Sequence, residues 1–203
     1  MKFFKELPKQ VQIILLTNIV IITGFALLVI ERVNTEFMLY MAVILFFLAL
    51  ITFTYKKIAY PPYLLWCLTI WSTLHMAGGL LIARGDVWYN LMLINIIPSV
   101  QVLKYDQAVH LFGFFTATLL LYVILKPHLK TDHIGIAVGV VIVAAGSGAG
   151  AWNEIVEFIA QASFEDANVG GYLNTSLDTI FNLAGGIAAL IFLKIRKSFS
   201  QKN

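Results

Sequence analysis

The sequence predicts an all-α fold: a polytopic transmembrane helical bundle of six spans with both termini in the cytoplasm. Three observations carry that expectation. Of the 203 residues 60% are hydrophobic and only 12% charged, with a mean hydropathy of +0.85, whereas about 25% of residues are charged in soluble domains. Six stretches match the ~20 apolar residues a helix needs to cross the hydrocarbon core. Finally, the Lys and Arg residues concentrate in alternate connections.

The spans run from Val11 to Ile30, Phe37 to Tyr55, Pro61 to Ala83, Asp106 to Leu125, Ile134 to Ile159, and Ser176 to Ile195. Lys2, Lys5 and Lys9 precede the first, as they would in a secretory leader. Its apolar run is too long for a leader core and no A-x-A site follows, so it reads as a span. The third carries Cys67, the one cysteine, which fits an inert residue in an apolar run and excludes both an intrachain disulfide and a multi-cysteine metal site. In the fifth, Gly135 with Gly139 and Gly146 with Gly150 form two small-xxx-small spacings, which predict close helix packing. Gly146-Ser147-Gly148 lacks the G-x-S-x-G spacing and the strand-turn-helix setting of a nucleophile elbow. In the sixth, Thr175-Ser176-Leu177-Asp178 has the shape of a capping box, which offers Asp178 a structural role.

Positive charge sets the orientation. Lys2, Lys5 and Lys9, then Lys56 and Lys57, then Lys126 and Lys130, and finally Lys194, Arg196, Lys197 and Lys202 all fall on one side. Arg32, Arg84 and Lys104 fall on the other, so the first side is cytoplasmic. His128 and His133 flank a basic cluster on the cytoplasmic side and read as solvated. Tyr60, Tyr63 and Trp66 on one face, with Trp88, Tyr89 and Trp152 on the other, fit interfacial aromatic belts. Membrane lipids are the expected partner. Nucleic acid is not an expected partner, because the basic residues form short flanking runs and no aromatic-interleaved patch.

No repeat or low-complexity segment divides the chain, so one membrane domain, 1–203, is expected. Two connections are long. Arg84 to Tyr105 is apolar enough to lie along the outer interface, and Gln161 to Thr175, with Glu165, Asp166, Gly170 and Gly171, reads as an acidic mobile cover.

Under this topology His75, Asp106, His110, Glu154, Glu157, Asp178 and Asn182 all lie near the outer ends of their spans. Asp106 and His110 are i,i+4, Glu154 and Glu157 are i,i+3, and Asp178 and Asn182 are i,i+4, so each pair shares one side of its helix. Ionisable groups within spans face the bundle interior, since lipid exposure costs about 2.5–3.5 kcal/mol on insertion scales. Asp106 has a second reading as a first-turn acid paired with His110, and a lone His75 as an interhelical hydrogen bonder. Glu154 and Glu157 have no such reading except open water, because they approach a helix C-terminus among Ile155, Val156, Phe158 and Ile159. Four converging carboxylates require a divalent metal, carboxylates that keep their protons, or salt bridges from Arg84 and Lys104. A ligand set of His75, Asp106, His110, Glu154, Glu157 and Asp178 suits Zn, Mn or Fe, although neither H-E-x-x-H nor E-x-x-H occurs.

At these residues the chain resembles the YjdF-like family of uncharacterised bacterial inner-membrane proteins. The matching words are Leu74-His75-Met76-Ala77-Gly78-Gly79, Tyr105-Asp106 with His110 and Gly113, Asn153-Glu154-Ile155-Val156-Glu157, and Gly171-Tyr172-Leu173-Asn174-Thr175 with Asp178. They cover spans three to six. Where the family resembles D-T-x-x-D, Asn174 stands here in place of the first acid, so with Asn182 it is a supporting residue and not a ligand. Asp106-x-x-x-His110 and Asp178-x-x-x-Asn182-x-x-Gly185 are also similar to VanZ-like proteins, associated with glycopeptide tolerance.

Three functions stay open from sequence. The first is a metal-dependent hydrolase or transferase acting on a lipid or cell-envelope precursor, with Glu154, Glu157 and His110 as catalytic residues. The second is a cation- or proton-coupled carrier using the same carboxylates. Six spans without a repeat, and no ionisable group on the inner half of the pathway, speak against it. The third is a non-catalytic membrane factor whose polar cluster locks helix packing.

Overall fold

The computed structural model describes residues 4, 6–32, 35–97, 99–130, 133–163 and 170–200. Long helices dominate: α1 (Lys9–Arg32), α2 (Thr35–Ile58), α3 (Pro62–Leu80), α4 (Tyr105–Leu125), α5 (Ile136–Ser163) and α6 (Tyr172–Ser200). The chain divides into two compact units, Met1–Tyr89 with α1 to α3 and Asn90–Asn203 with α4 to α6.

Among the described residues five helices are long and apolar enough to cross a membrane: Lys9–Glu31, Tyr40–Ile58, Tyr105–His128, Ile136–Ser163 and Tyr172–Ser198. Their outward side chains are those of a lipid-facing surface, with Val20, Phe53 and Phe158 each more than two thirds exposed. The stretch predicted as a third span instead forms a shorter helix of 19 residues, α3. Thr69, Ser72, Thr73, His75 and the Gly78-Gly79 pair make it more polar than its neighbours. It stops at Leu80, and Ile82–Ala83 pairs with Asp86–Val87 as a small antiparallel hairpin. Arg84 and Gly85 at its tip both have positive φ, 56° and 84°, as a type I′ turn requires. The rest of the regular structure is helical, as the all-α expectation has it.

In the first unit α1 packs on α2 and α3. Asn18 Nδ2 donates to Thr69 Oγ1 at 2.7 Å and to the Ile14 carbonyl at 2.9 Å, so the one buried amide of α1 is satisfied. Lys56 at the end of α2 pairs with Glu6 ahead of α1, which puts those two ends on one side of the unit. Lys2, Lys5 and Lys202 of the charge count lie outside the described residues, as does the side chain of Arg32.

In the second unit α4 packs on both α5 and α6, and α5 on α6. Glycines set the approach. A Cβ at Gly185 would strike the Leu111 carbonyl and lie 2.7 Å from the Phe115 nitrogen, so α6 touches the α4 backbone there. Gly146 faces Thr118 of α4 and Gly150 faces Asn182 of α6, as the small-xxx-small spacing predicts. Gly139 meets Leu190 of α6, whereas Gly135 meets only His133.

Helices α5 and α6 differ in extent from expectation. α5 runs to Ser163, beyond the predicted Ile159, so Glu154 and Glu157 sit within a continuous helix. α6 begins at Tyr172, four residues before Ser176, after Gly170 at φ 77°. Its first turn contains no acid, and the capping-box reading of Asp178 is therefore corrected: Asp178 lies inside the helix. Glu165 and Asp166 of the expected acidic cover lie outside the described residues.

The connection to α4 is more ordered than a loop. Met92 bridges to Lys104, Leu93 and Ile94 donate to the Leu103 carbonyl, and Leu103 itself has a φ of 75°. That left-handed backbone is held by Gln107, whose Oε1 accepts from the Leu103 and Lys104 N–H groups at 2.5 and 3.0 Å. The apolar Leu93, Ile94, Ile96 and Ile97 of this connection are exposed.

Candidate functional site

The second unit gathers one imidazole, four carboxylates and three amides from its three helices. α4 contributes Asp106 in its first turn and His110 one turn later. α5 contributes Asn153, Glu154 and Glu157, and α6 contributes Asn174, Asp178 and Asn182 at i, i+4 and i+8. The helical repeat places these residues on inward faces. On α5 the same repeat turns Ile155, Phe158 and Ile159 outward, where they are 47–68% exposed, while Glu154 and Glu157 are largely covered.

His110, 7% exposed, lies at the centre. Its Nδ1 is 2.9 Å from Asn182 Oδ1, and Asn182 Nδ2 donates to Glu154 Oε1 at 3.2 Å. With Glu154 ionised, and so only accepting, the Asn182 amide turns its NH₂ to Glu154 and its oxygen to the imidazole. Nδ1 therefore carries a proton, and Nε2 faces Asp106 Oδ1 at 3.5 Å and Glu157 Oε1 at 3.7 Å.

The remaining amides steady the acids. Asn153 Nδ2 donates to Glu157 Oε1 at 2.6 Å. Asn174 Nδ2 donates to Asp178 Oδ2 at 2.6 Å and to Asp106 Oδ2 at 3.2 Å, joining α6 to α4. Asp178 is fully buried and Asn182 1% exposed. Even so, Asp178 Oδ1 and Glu154 Oε2 are buried without a hydrogen-bond partner among the described residues.

Charge is left uncompensated as well. Among the described residues no Lys or Arg nitrogen lies within 4.0 Å of these four carboxylates; His110 is their one basic neighbour at that distance. The salt bridges considered for Lys104 are therefore not formed, and Arg84 belongs to the first unit. Two triads offer ligand atoms lying within 4.8 Å of one another, Asp106 with His110 and Asp178, and His110 with Glu154 and Glu157. The edge of a tetrahedral site with bonds near 2.1 Å is about 3.4 Å, close to the 3.5 and 3.7 Å separations at Nε2.

His75 belongs to the first unit. The Tyr89 hydroxyl donates to its carbonyl oxygen at 2.8 Å and accepts from Nδ1 at 2.6 Å. Trp71 stacks on the ring and Tyr40 meets it edge-on. A Cβ at Gly78 would overlap the Tyr89 ring, so His75 and Gly78 of one sequence word meet through Tyr89.

Sequence reasoning missed three participants. Asn153 is i,i+4 from Glu157, a spacing that was available. Gln107 carried no periodic signal, because its side chain serves the backbone ahead of α4. Glycine 185 was noted in a motif without its packing role.

The family model described as "Predicted membrane protein (DUF2238)" matches residues 13–198. That match agrees with the YjdF-like resemblance and does not extend to VanZ-like proteins. No curated protein and no solved structure matches the chain.

Proposed function

Because the chain belongs to the DUF2238 family of predicted membrane proteins, we propose that it is an inner-membrane enzyme built around a divalent metal. In this reading α3 is a sixth span and both termini are cytoplasmic. Supporting this, α3's 19 residues rise about 28 Å, close to the ~30 Å hydrocarbon core, and the basic residues favour that orientation.

One observation carries the metal: an imidazole whose Nδ1 is committed to Asn182 turns Nε2 toward acids that have no Lys or Arg partner among the described residues. Asp106, His110 and Asp178 hold the ion, Glu157 faces the same nitrogen as general base, and Glu154 is steadied by Asn182. A set of oxygens with one imidazole favours Mn or Fe over Zn. When bound, such an ion lowers the pKa of its water and supplies a nucleophile at neutral pH. Asn153, Asn174 and Asn182 orient ligands and base, as supporting amides do in metal sites. The substrate class is a lipid or cell-envelope precursor, since the acids lie among lipid-facing helices.

Lipid profiling of a strain lacking the protein tests the enzyme reading. A precursor should accumulate and return to its normal level with the wild-type chain, but not with His110→Ala or Glu157→Gln expressed to equal amounts. An unchanged lipid profile, or full complementation by both variants, excludes it.

A further inference from the structure

All seven buried side-chain polar atoms that lack a hydrogen-bond partner among the described residues belong to the second unit. Two are cluster acids, Glu154 and Asp178, and a third is Gln107 Nε2, next in sequence to the cluster acid Asp106. The other four are Thr118 Oγ1, Ser147 Oγ, Tyr122 OH and Lys197 Nζ. Folded proteins leave few such groups unpaired, and those they leave are commonly met by internal water.

These atoms form a sequence of rungs. Asn182, bonded to His110, packs against Gly150, and Thr118 packs against Gly146 one α5 turn away. Ser147 lies on that same turn. Thr118 and Tyr122 are one α4 turn apart, and Lys197 Nζ sits 5.7 Å over the Tyr122 ring. Successive rungs are thus about one helical turn apart, a rise of about 5.4 Å along the axis. Thr118, fully buried, also forgoes the bond to its i−4 carbonyl that Thr116 makes, leaving its hydroxyl available.

We propose that a water-bridged proton path runs through the core of the second unit, from the carboxylate cluster through Thr118 and Tyr122 to Lys197. Its outer titratable groups are Asp106, His110, Glu154, Glu157 and Asp178; its inner ones are Tyr122 and Lys197. The path goes beyond the enzyme reading and does not require a metal. It also answers the argument against proton coupling, which rested on an inner half without ionisable groups.

The test uses the purified full-length chain in phosphatidylethanolamine–phosphatidylglycerol vesicles containing pyranine, with a valinomycin-clamped potassium gradient and EDTA present. Wild type should take up protons at least ten times faster than protein-free vesicles, and Thr118→Val should cut that rate at least tenfold. Tyr122→Phe, which removes one oxygen from a residue 5% exposed, should do the same and serves where Thr118→Val does not fold. Wild-type flux equal to that of protein-free vesicles, or wild-type flux retained by a folded variant, overturns the path. EDTA separates the outcomes, since failure of the metal reading leaves this flux unchanged.

Discussion

Asn182 holds His110 and Glu154 at once, accepting from the imidazole at 2.9 Å and donating to the carboxylate at 3.2 Å. The imidazole's tautomer and tilt thus depend on a residue of another helix that cannot itself change charge.

Asn182→Leu keeps the number and branching of the side-chain heavy atoms and removes both bonds. Metal affinity should fall about 10–100-fold, the usual effect of losing a supporting partner. Titration with Mn²⁺ or Fe²⁺ measures this. Affinity unchanged from wild type would show that His110 orients itself.

Asp178→Asn separates a metal site from a structural cluster through opposite signs. In the metal-free protein it removes one negative charge from a buried acidic group, so thermal stability in EDTA should rise, by about 1 kcal/mol. Added metal should then no longer raise the melting temperature. If Asp178 acts only in helix packing, the same change lowers stability in EDTA.

Asn174→Asp restores the acid expected at this position of the D-T-x-x-D word. It replaces the donor that joins Asp106 to Asp178 with another acceptor. The metal-free protein should lose about 1–3 kcal/mol, and stabilisation by metal should grow. Paired melting curves, with and without metal, read both effects.

Gly185→Ala tests the contact between α4 and α6. The new methyl collides with the Leu111 and Phe115 backbone, which cannot rotate away, and should cost about 1–3 kcal/mol. Gly148→Ala has nothing within 4 Å and should be neutral or stabilise by up to about 1 kcal/mol. Unfolding in detergent compares the two; equal stabilities would exclude close packing at Gly185.

Hydrophobic length and helical spacing made five of the spans and the three polar pairs legible, because lipid imposes a simple demand on every residue facing it. Those rules do not locate helix ends. Glycine at 170 with positive φ starts α6 early, which moves Asp178 from a cap to a buried interior position and brings Asn174 within reach of two acids. His75 shows a different limit. Its helix is legible in the sequence, but its bond to Tyr89 depends on a hairpin whose two-residue strands carry no periodic signal. Thr118 and Tyr122 were passed over because hydroxyls cost little in a hydropathy sum, although burial leaves both unpaired.

Metal content of the purified protein tests the central claim most directly. The account predicts about one equivalent of divalent metal in wild type after dialysis, falling to background in Glu157→Gln and His110→Ala variants that keep their helical spectrum. A wild-type content well below one equivalent, and no lower in those variants, contradicts it.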